Sequence, residues 1–160
     1  MATEQEYGAP PQIKPTRLGD YLEAMSKSVF QSGMSWRVIK SKWPTINEAF
    51  KGFDALAVAS LTEAEIADLA QDPRIIRNRK KVEAIVDNAR TMIDLDEEHR
   101  GFKSYLTAQG GFEPLVKDLK KRFRFLGETG CYYFLYVVGE PVPDYDTWCE
   151  SRGVRHMHHS

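Results

Sequence analysis

From Leu18 onward the apolar residues recur at three- and four-residue steps, and sustained alternation of apolar with polar residues is weak throughout. That period predicts an all-α fold, with only Tyr132 to Val138 rich enough in β-formers to be ambiguous. Leu18, Tyr21, Leu22, Met25, Val29 and Phe30 fall on one face of a first helix. Trp36, Ile39 and Trp43 continue a second, which Pro44 is expected to stop. Thr45-Ile-Asn-Glu48 has the spacing of a capping box and predicts a short helix bearing Ala49, Phe50 and Phe53. Ser60-Leu-Thr-Glu63 predicts another ahead of Ile66, Leu69 and Ala70. Asp72-Pro73 breaks the chain, and the longest helix is expected from Ile75 to about Leu95, with Val82, Ile85, Val86 and Ala89 inward. A short helix follows at Phe102 to Leu106 and Gly110-Gly111 interrupt. Leu115, Leu119 and Phe123 then stripe the next helix, and Cys131 to Val138 form the last.

A chain of 160 residues is bounded to one domain, long enough to bury a core without metal or disulfide. Pro10, Pro11 and Pro15 mark residues 1–16 as a flexible arm, residues 17–151 make the helical domain, and 152–160 read as a flexible tail. The apolar runs are too short to cross a bilayer, and Met1-Ala-Thr-Glu-Gln-Glu lacks the pattern of a secretory signal, so a cytoplasmic protein with no membrane partner is expected. Cys131 and Cys149 make neither a disulfide framework nor a metal quartet. His156, His158 and His159 lie outside any periodic element, so no metal or other cofactor is expected. Net charge is −1, and the distribution says more than the sum. Basic residues gather in Arg74-Ile-Ile-Arg-Asn-Arg-Lys-Lys81 and in Lys117-Asp-Leu-Lys-Lys-Arg-Phe-Arg124, as solvated helix faces or as a surface for a polyanion.

Two segments carry chemistry. Leu119 to Phe134 reads as a basic helix, a tight turn at Gly127 and Gly130, and an aromatic helix. It is either an ordinary helical corner or a phosphate clamp in which glycines at positive φ let backbone N–H groups converge. In the clamp, the helix N-terminus adds partial positive charge, and Lys121 and Arg124 reach neighbouring phosphates. The second segment, Val29-Phe-Gln-Ser-Gly-Met-Ser-Trp36, is either a packed interhelical turn or a wedge that enters a base stack with an aromatic wall behind it.

Together with Asp72-Pro-Arg-Ile-Ile-Arg-Asn-Arg-Lys-Lys81, these segments resemble the DNA-3-methyladenine glycosylase I family of the helix-hairpin-helix DNA glycosylase superfamily, from about Tyr21 to Asp146. The resemblance implies a two-lobed helical fold and a monomeric base-excision repair enzyme. Such an enzyme hydrolyses the N-glycosidic bond of alkylated purines such as 3-methyladenine in double-stranded DNA. It implies a wedge at Gly33 and Met34, a base pocket at Ser28, Phe30, Gln31 and Trp36, and backbone contacts at Lys121, Arg124, Gly127, Thr129 and Gly130. Arg77, Asn78 and Arg79 match a family segment, with helix capping the default role for Asn78.

The departures matter as much. The family typically reads the methylated adenine with a glutamate three residues before the glutamine of its Gln-x-Gly-x-Ser-Trp run, and here that position is Ser28, which brings no negative charge to a cationic base. The family's zinc clasp needs cysteines near the N-terminus, and the first 16 residues contain neither Cys nor His. Ser28 leaves open an inactive lesion- or DNA-structure-binding protein of the same fold. Asp144 and Asp146 are the candidate catalytic carboxylates, since many relatives in the wider superfamily place one soon after the second hairpin helix; N-capping or a surface turn is the alternative for both.

Overall fold

The computed structural model describes residues 10–152. Residues 1–9 of the expected arm, and the tail with His156, His158 and His159, lie outside the described residues. Among those described, the secondary structure is helical: α1 (Leu18–Gln31), α2 (Trp36–Ala49), α3 (Ala55–Ala59), α4 (Glu63–Ala70), α5 (Arg79–Glu98), α6 (Phe102–Thr107), α7 (Phe112–Arg122), α8 (Glu128–Val137) and α9 (Tyr145–Arg152), with a 3₁₀ turn at Lys51–Phe53. The ambiguous stretch around Tyr132 is helix, in line with the all-α reading.

Four expected boundaries are corrected. Pro44 lies inside α2 rather than ending it. Its ring sits on the exposed side, while Trp43 and Ile46 hold the other side in the core. A proline there removes one ladder hydrogen bond on the solvent face, and the buried stripe carries the helix through. Thr45 therefore caps nothing; its hydroxyl donates to the Lys42 and Arg74 carbonyls at 2.9 and 2.7 Å. The box before α4 is Thr62 with Glu65, not Ser60 with Glu63: Glu65 N–H donates to Thr62 Oγ1, and Thr62 N–H to Glu65 Oε1. α5 starts at Arg79 instead of Ile75, because Asn78 accepts from the Lys81 N–H and caps it. Finally, α8 is not the last helix, and α3 and α9 had no separate signal.

α5 runs through the centre and packs against α1, α3, α4 and α6, while α1 also meets α2 and α8. The main core includes Leu22, Met25, Phe30, Ile39, Phe50, Phe53, Ile85 and Met92, all essentially inaccessible. A smaller cluster of Tyr132, Tyr133, Tyr145, Trp148 and Cys149 joins α8 to α9. The described part of the arm has no regular secondary structure but is anchored: Ile13 N–H donates to the Val137 carbonyl at 2.8 Å and the Gln12 amide to that of Tyr136 at 2.9 Å.

Candidate functional site

The turn between α1 and α2 is closed by backbone bonds from Ser32 N–H to Ser28 O and from Met34 N–H to Gln31 O, and Gly33 takes a φ of 79° in it. Ser35 caps α2 by accepting from the Val38 N–H. From α5, Lys81 reaches across and donates its ammonium to the Phe30 and Ser32 carbonyls at 3.1 and 2.8 Å. It satisfies carbonyls that the end of α1 leaves without helical partners, and a cation there suits the helix dipole. Lys81 is 5% exposed, and burial pulls its pKa down. One member of the first basic run is thus interior. Arg74 and Arg79 of the same run pair with Asp72 and Glu48, and with Glu63 and Glu83, so much of that run is neutralised at the surface.

Trp36 opens α2 and is 6% exposed. Its ring lies 6.2 Å from that of Trp43, which stacks on Phe53 at 5.4 Å. Phe30, expected in the base pocket, is fully buried between Trp43 and Phe50 and belongs to the aromatic core. Gln31 and Met34 are half-buried and Gly33 is exposed at the tip. Lys27 Nζ stands 5.5 Å from the centroids of both Trp36 and Trp43. Glu23 accepts from Trp43 Nε1 at 2.8 Å and lies 4.0 Å from Lys27. Burial lowers the Lys27 pKa and Glu23 opposes that shift.

Ser28 is 4% exposed, and its hydroxyl donates to the Gly130 carbonyl at 3.2 Å. That bond joins the last turn of α1, just before the α1–α2 turn, to the first turn of α8, between residues 102 apart. A Cβ at Gly130 would stand 3.8 Å from Ser28 Cβ and 3.4 Å from Leu126 Cδ1, ordinary contact distances, so neither space nor backbone conformation demands glycine there. The expected glycine turn is corrected here. Gly127, the residue before α8, has φ −83° and ψ −171°, which any residue adopts. The left-handed residue is Phe125, at φ 56° and 40% exposed.

Asn88, on the inward face of α5, holds that turn: its amide donates to the Arg124 carbonyl at 3.1 Å and its oxygen accepts from the Arg124 N–H at 2.8 Å. Arg124 also pairs through its guanidinium with Asp87. The N-cap residue Gly127 brings no side-chain bond to the start of α8, where Gly127 and Thr129 are exposed. Lys121 is exposed and, among the described residues, has no carboxylate within ion-pair distance; Lys120 meets Glu128 at 3.5 Å. Arg122 donates to Asp118 at 2.8 Å, and Asp118 also accepts from Tyr105. Burial would raise the Asp118 carboxyl, but these two donors outweigh it and hold it below its ordinary value.

Asp144 is an N-cap: its carboxylate accepts from the N–H and hydroxyl of Thr147, both at 3.2 Å, at the start of α9. Asp146 is half-buried in the first turn of that helix. Among the described residues no group of His, Cys, Asp and Glu side chains is arranged to hold a metal ion. Burial pushes the Cys131 thiol up to about 12, away from nucleophilic chemistry. Lys27 and Asn88 carry no role in the sequence reading, and Lys81 figures there only as a member of the first basic run and of the family segment. Asn88 was the most findable, because it is a polar residue on the stripe of Ile85, Ala89 and Met92.

A helical fold in which a basic hairpin is bonded to an aromatic-walled turn is that of the helix-hairpin-helix glycosylases. A family model described as methyladenine glycosylase matches residues 4–115, and the chain belongs to that family. The DNA-3-methyladenine glycosylase 1 of Escherichia coli (strain K12) is 31% identical over 130 residues, covering 68% of this chain and 70% of that protein. The corresponding protein of Haemophilus influenzae is 32% identical with the same coverage. Among solved structures, the Staphylococcus aureus 3-methyladenine DNA glycosylase I superposes with a TM-score of 0.72 at 25% identity over 84% of both chains. A solution structure of 3-methyladenine DNA glycosylase I gives 0.66 at 29% identity, over 85% of this chain and 82% of that one. The family match stops at Leu115, whereas a likeness over 84% of the chain must extend past it toward the hairpin.

Proposed function

We propose that this protein is a base-excision repair glycosylase that hydrolyses the N-glycosidic bond of alkylated purines, such as 3-methyladenine, in duplex DNA. The observation that supports the reading is the Ser28–Gly130 bond, which ties the end of α1, next to the Gly33–Met34 turn, to the start of the second hairpin helix. In this reading the uncapped start of α8, with Gly127, Thr129 and Gly130, takes a phosphate, and Lys121 and Arg124 lie beside it. Gly33 and Met34 enter the gap left by the extruded nucleotide, and the Trp36 wall meets the base. Extrusion costs a few kcal/mol, less where a lesion already weakens stacking. Water then adds at C1′ as the bond to the base nitrogen breaks; the cationic alkylated purine departs with the bonding pair as a neutral base, and the proton that the water loses passes to solvent. A single copy carries both motifs, so the reading needs no second subunit, and a cytoplasmic setting is compatible with it.

A second reading is favoured by one observation. The Ser28 hydroxyl is engaged with a backbone carbonyl, and Asp144 is engaged as a cap, so neither group is free to assist bond cleavage. A lesion-binding protein without turnover would look the same. Chromatographic assay of base release from alkylated duplex DNA separates the two. The glycosylase releases free base, and Trp36→Ala loses release while undamaged duplex still binds. Tight binding of an abasic-site duplex with no base released would establish the binder instead.

A further inference from the structure

Two phenylalanines among the described residues hold left-handed backbone conformations, and only one has packing to set against the strain. Phe53, at φ 57°, is fully buried and stacks on Trp43 and Phe50. Phe125, at φ 56°, is 40% exposed and, among the described residues, belongs to no aromatic pair. A left-handed conformation is uncommon for a residue with a bulky ring, and such strain gathers where a surface meets a ligand. With Val38 and Leu56, Phe125 is one of three large apolar side chains exposed among the described residues, and the one that is aromatic. It stands in a segment, Lys117 to Glu128, with five basic residues to two acidic. The two Asn88 bonds to Arg124 fix the backbone next to it, so the ring is carried by a constrained turn. Lys121 and Gly127, which the glycosylase reading sets beside a phosphate, lie on either side of it in the chain and are exposed with it.

We propose that Phe125 is a DNA contact: its ring packs on the deoxyribose next to the phosphate held at the hairpin, adding an apolar anchor to an electrostatic one. The inference rests on the reading that the hairpin holds duplex DNA. A deoxyribose presents C–H groups, so an aromatic ring can cover it without regard to sequence. Covering it removes apolar area from water, a gain that added salt does not screen as it screens phosphate contacts. The ring left without packing in the free protein acquires it in the complex. That accounts for an aromatic residue at a turn position where glycine or asparagine would sit without strain.

The test is titration of the full chain with an undamaged duplex, and with the same duplex carrying a tetrahydrofuran abasic analogue, across a range of salt. Phe125→Asn removes the ring but suits the left-handed turn, and Phe125→Tyr keeps the ring. The asparagine variant is expected to bind both duplexes about tenfold more weakly, with the slope of affinity against salt unchanged and the urea midpoint close to that of wild type. Phe125→Tyr should bind as wild type does. If Phe125→Asn does not fold, Phe125→Gly takes its place at the same turn. Undiminished affinity in the folded variant overturns the inference, and so does a loss on the abasic duplex alone, which would make the ring a lesion probe. A loss accompanied by a flattened salt slope overturns it too, because the ring would then be shaping the clamp. Each of these results leaves the glycosylase reading standing. If the wild type binds neither duplex, that reading falls and this inference with it.

Discussion

The Trp36 wall and the α7–α8 hairpin are two halves of one candidate site, built by opposite means. The wall is made of side chains: Trp36, Trp43, Phe53, Phe50 and Phe30 interlock at ring distances of 5.2 to 6.2 Å and are almost wholly buried. The hairpin is made of backbone. Its turn exposes Arg124, Phe125 and Gly127, and its shape comes from two hydrogen bonds that Asn88 makes to Arg124. The exposed turn is held from behind by a buried polar residue, Asn88, whereas the wall holds itself together by ring packing. Each half leans on α5, through Lys81 beneath the wall-side turn and Asn88 beneath the hairpin.

The comparison predicts unequal responses when each half loses its support. Lys81→Met should have the largest effect, about 2–3 kcal/mol of stability, because two carbonyls near the end of α1 lose their donor. Urea unfolding at neutral pH measures it. The same substitution carries a pH signature. Burial lowers the Lys81 pKa in the folded chain, so between that value and the ordinary 10.5 the unfolded chain binds more protons. Wild-type stability should therefore gain with rising pH across that window relative to Lys81→Met, and parallel curves would contradict the buried ammonium.

Asn88→Leu comes next, at about 1–2 kcal/mol, since both Arg124 backbone groups are left without that partner. Its sharper readout is DNA. Affinity for undamaged duplex should fall and the salt dependence should flatten as the hairpin loses its shape. Unchanged binding in a folded Asn88→Leu protein would detach the hairpin from DNA. The smallest effect on folding is expected at Gly127. Its backbone is extended and nothing lies within 4 Å of an added Cβ, so Gly127→Ala should stay within about 0.5 kcal/mol of wild type. If the same variant loses DNA affinity, a phosphate approaches that Cα closely; if it does not, the clamp rests on the amides alone.

Much of the fold is legible in the order of residues, because an amphipathic helix writes its buried face at a fixed period. α1, α6, α7 and α8 were recognisable from their apolar faces, and the wedge and hairpin segments from their glycines, aromatics and basic run. Local rules misled where a tertiary contact outweighed them. Pro44 was read as a stop because its missing N–H is a local fact, whereas the burial of Trp43 and Ile46 on the opposite side is not. α9 was missed because its apolar residues pack on Tyr132 and Tyr133 in a small separate cluster. The positive φ expected of the hairpin glycines falls instead on Phe125, a conformation that residue type does not announce.

The sequence by itself determined the helical class, the position of both candidate motifs and the absence of charge at Ser28, since each is a property of residue type and spacing. Only the tertiary structure decided that Ser28 bonds to Gly130, that Lys27 lies over two tryptophans, and that Lys81 and Asn88 are interior supports. Lys81 and Asn88 look in sequence like any other polar residue on a helix. Their partners lie 36 to 51 residues away, and a buried polar group takes its meaning from the atoms that satisfy it.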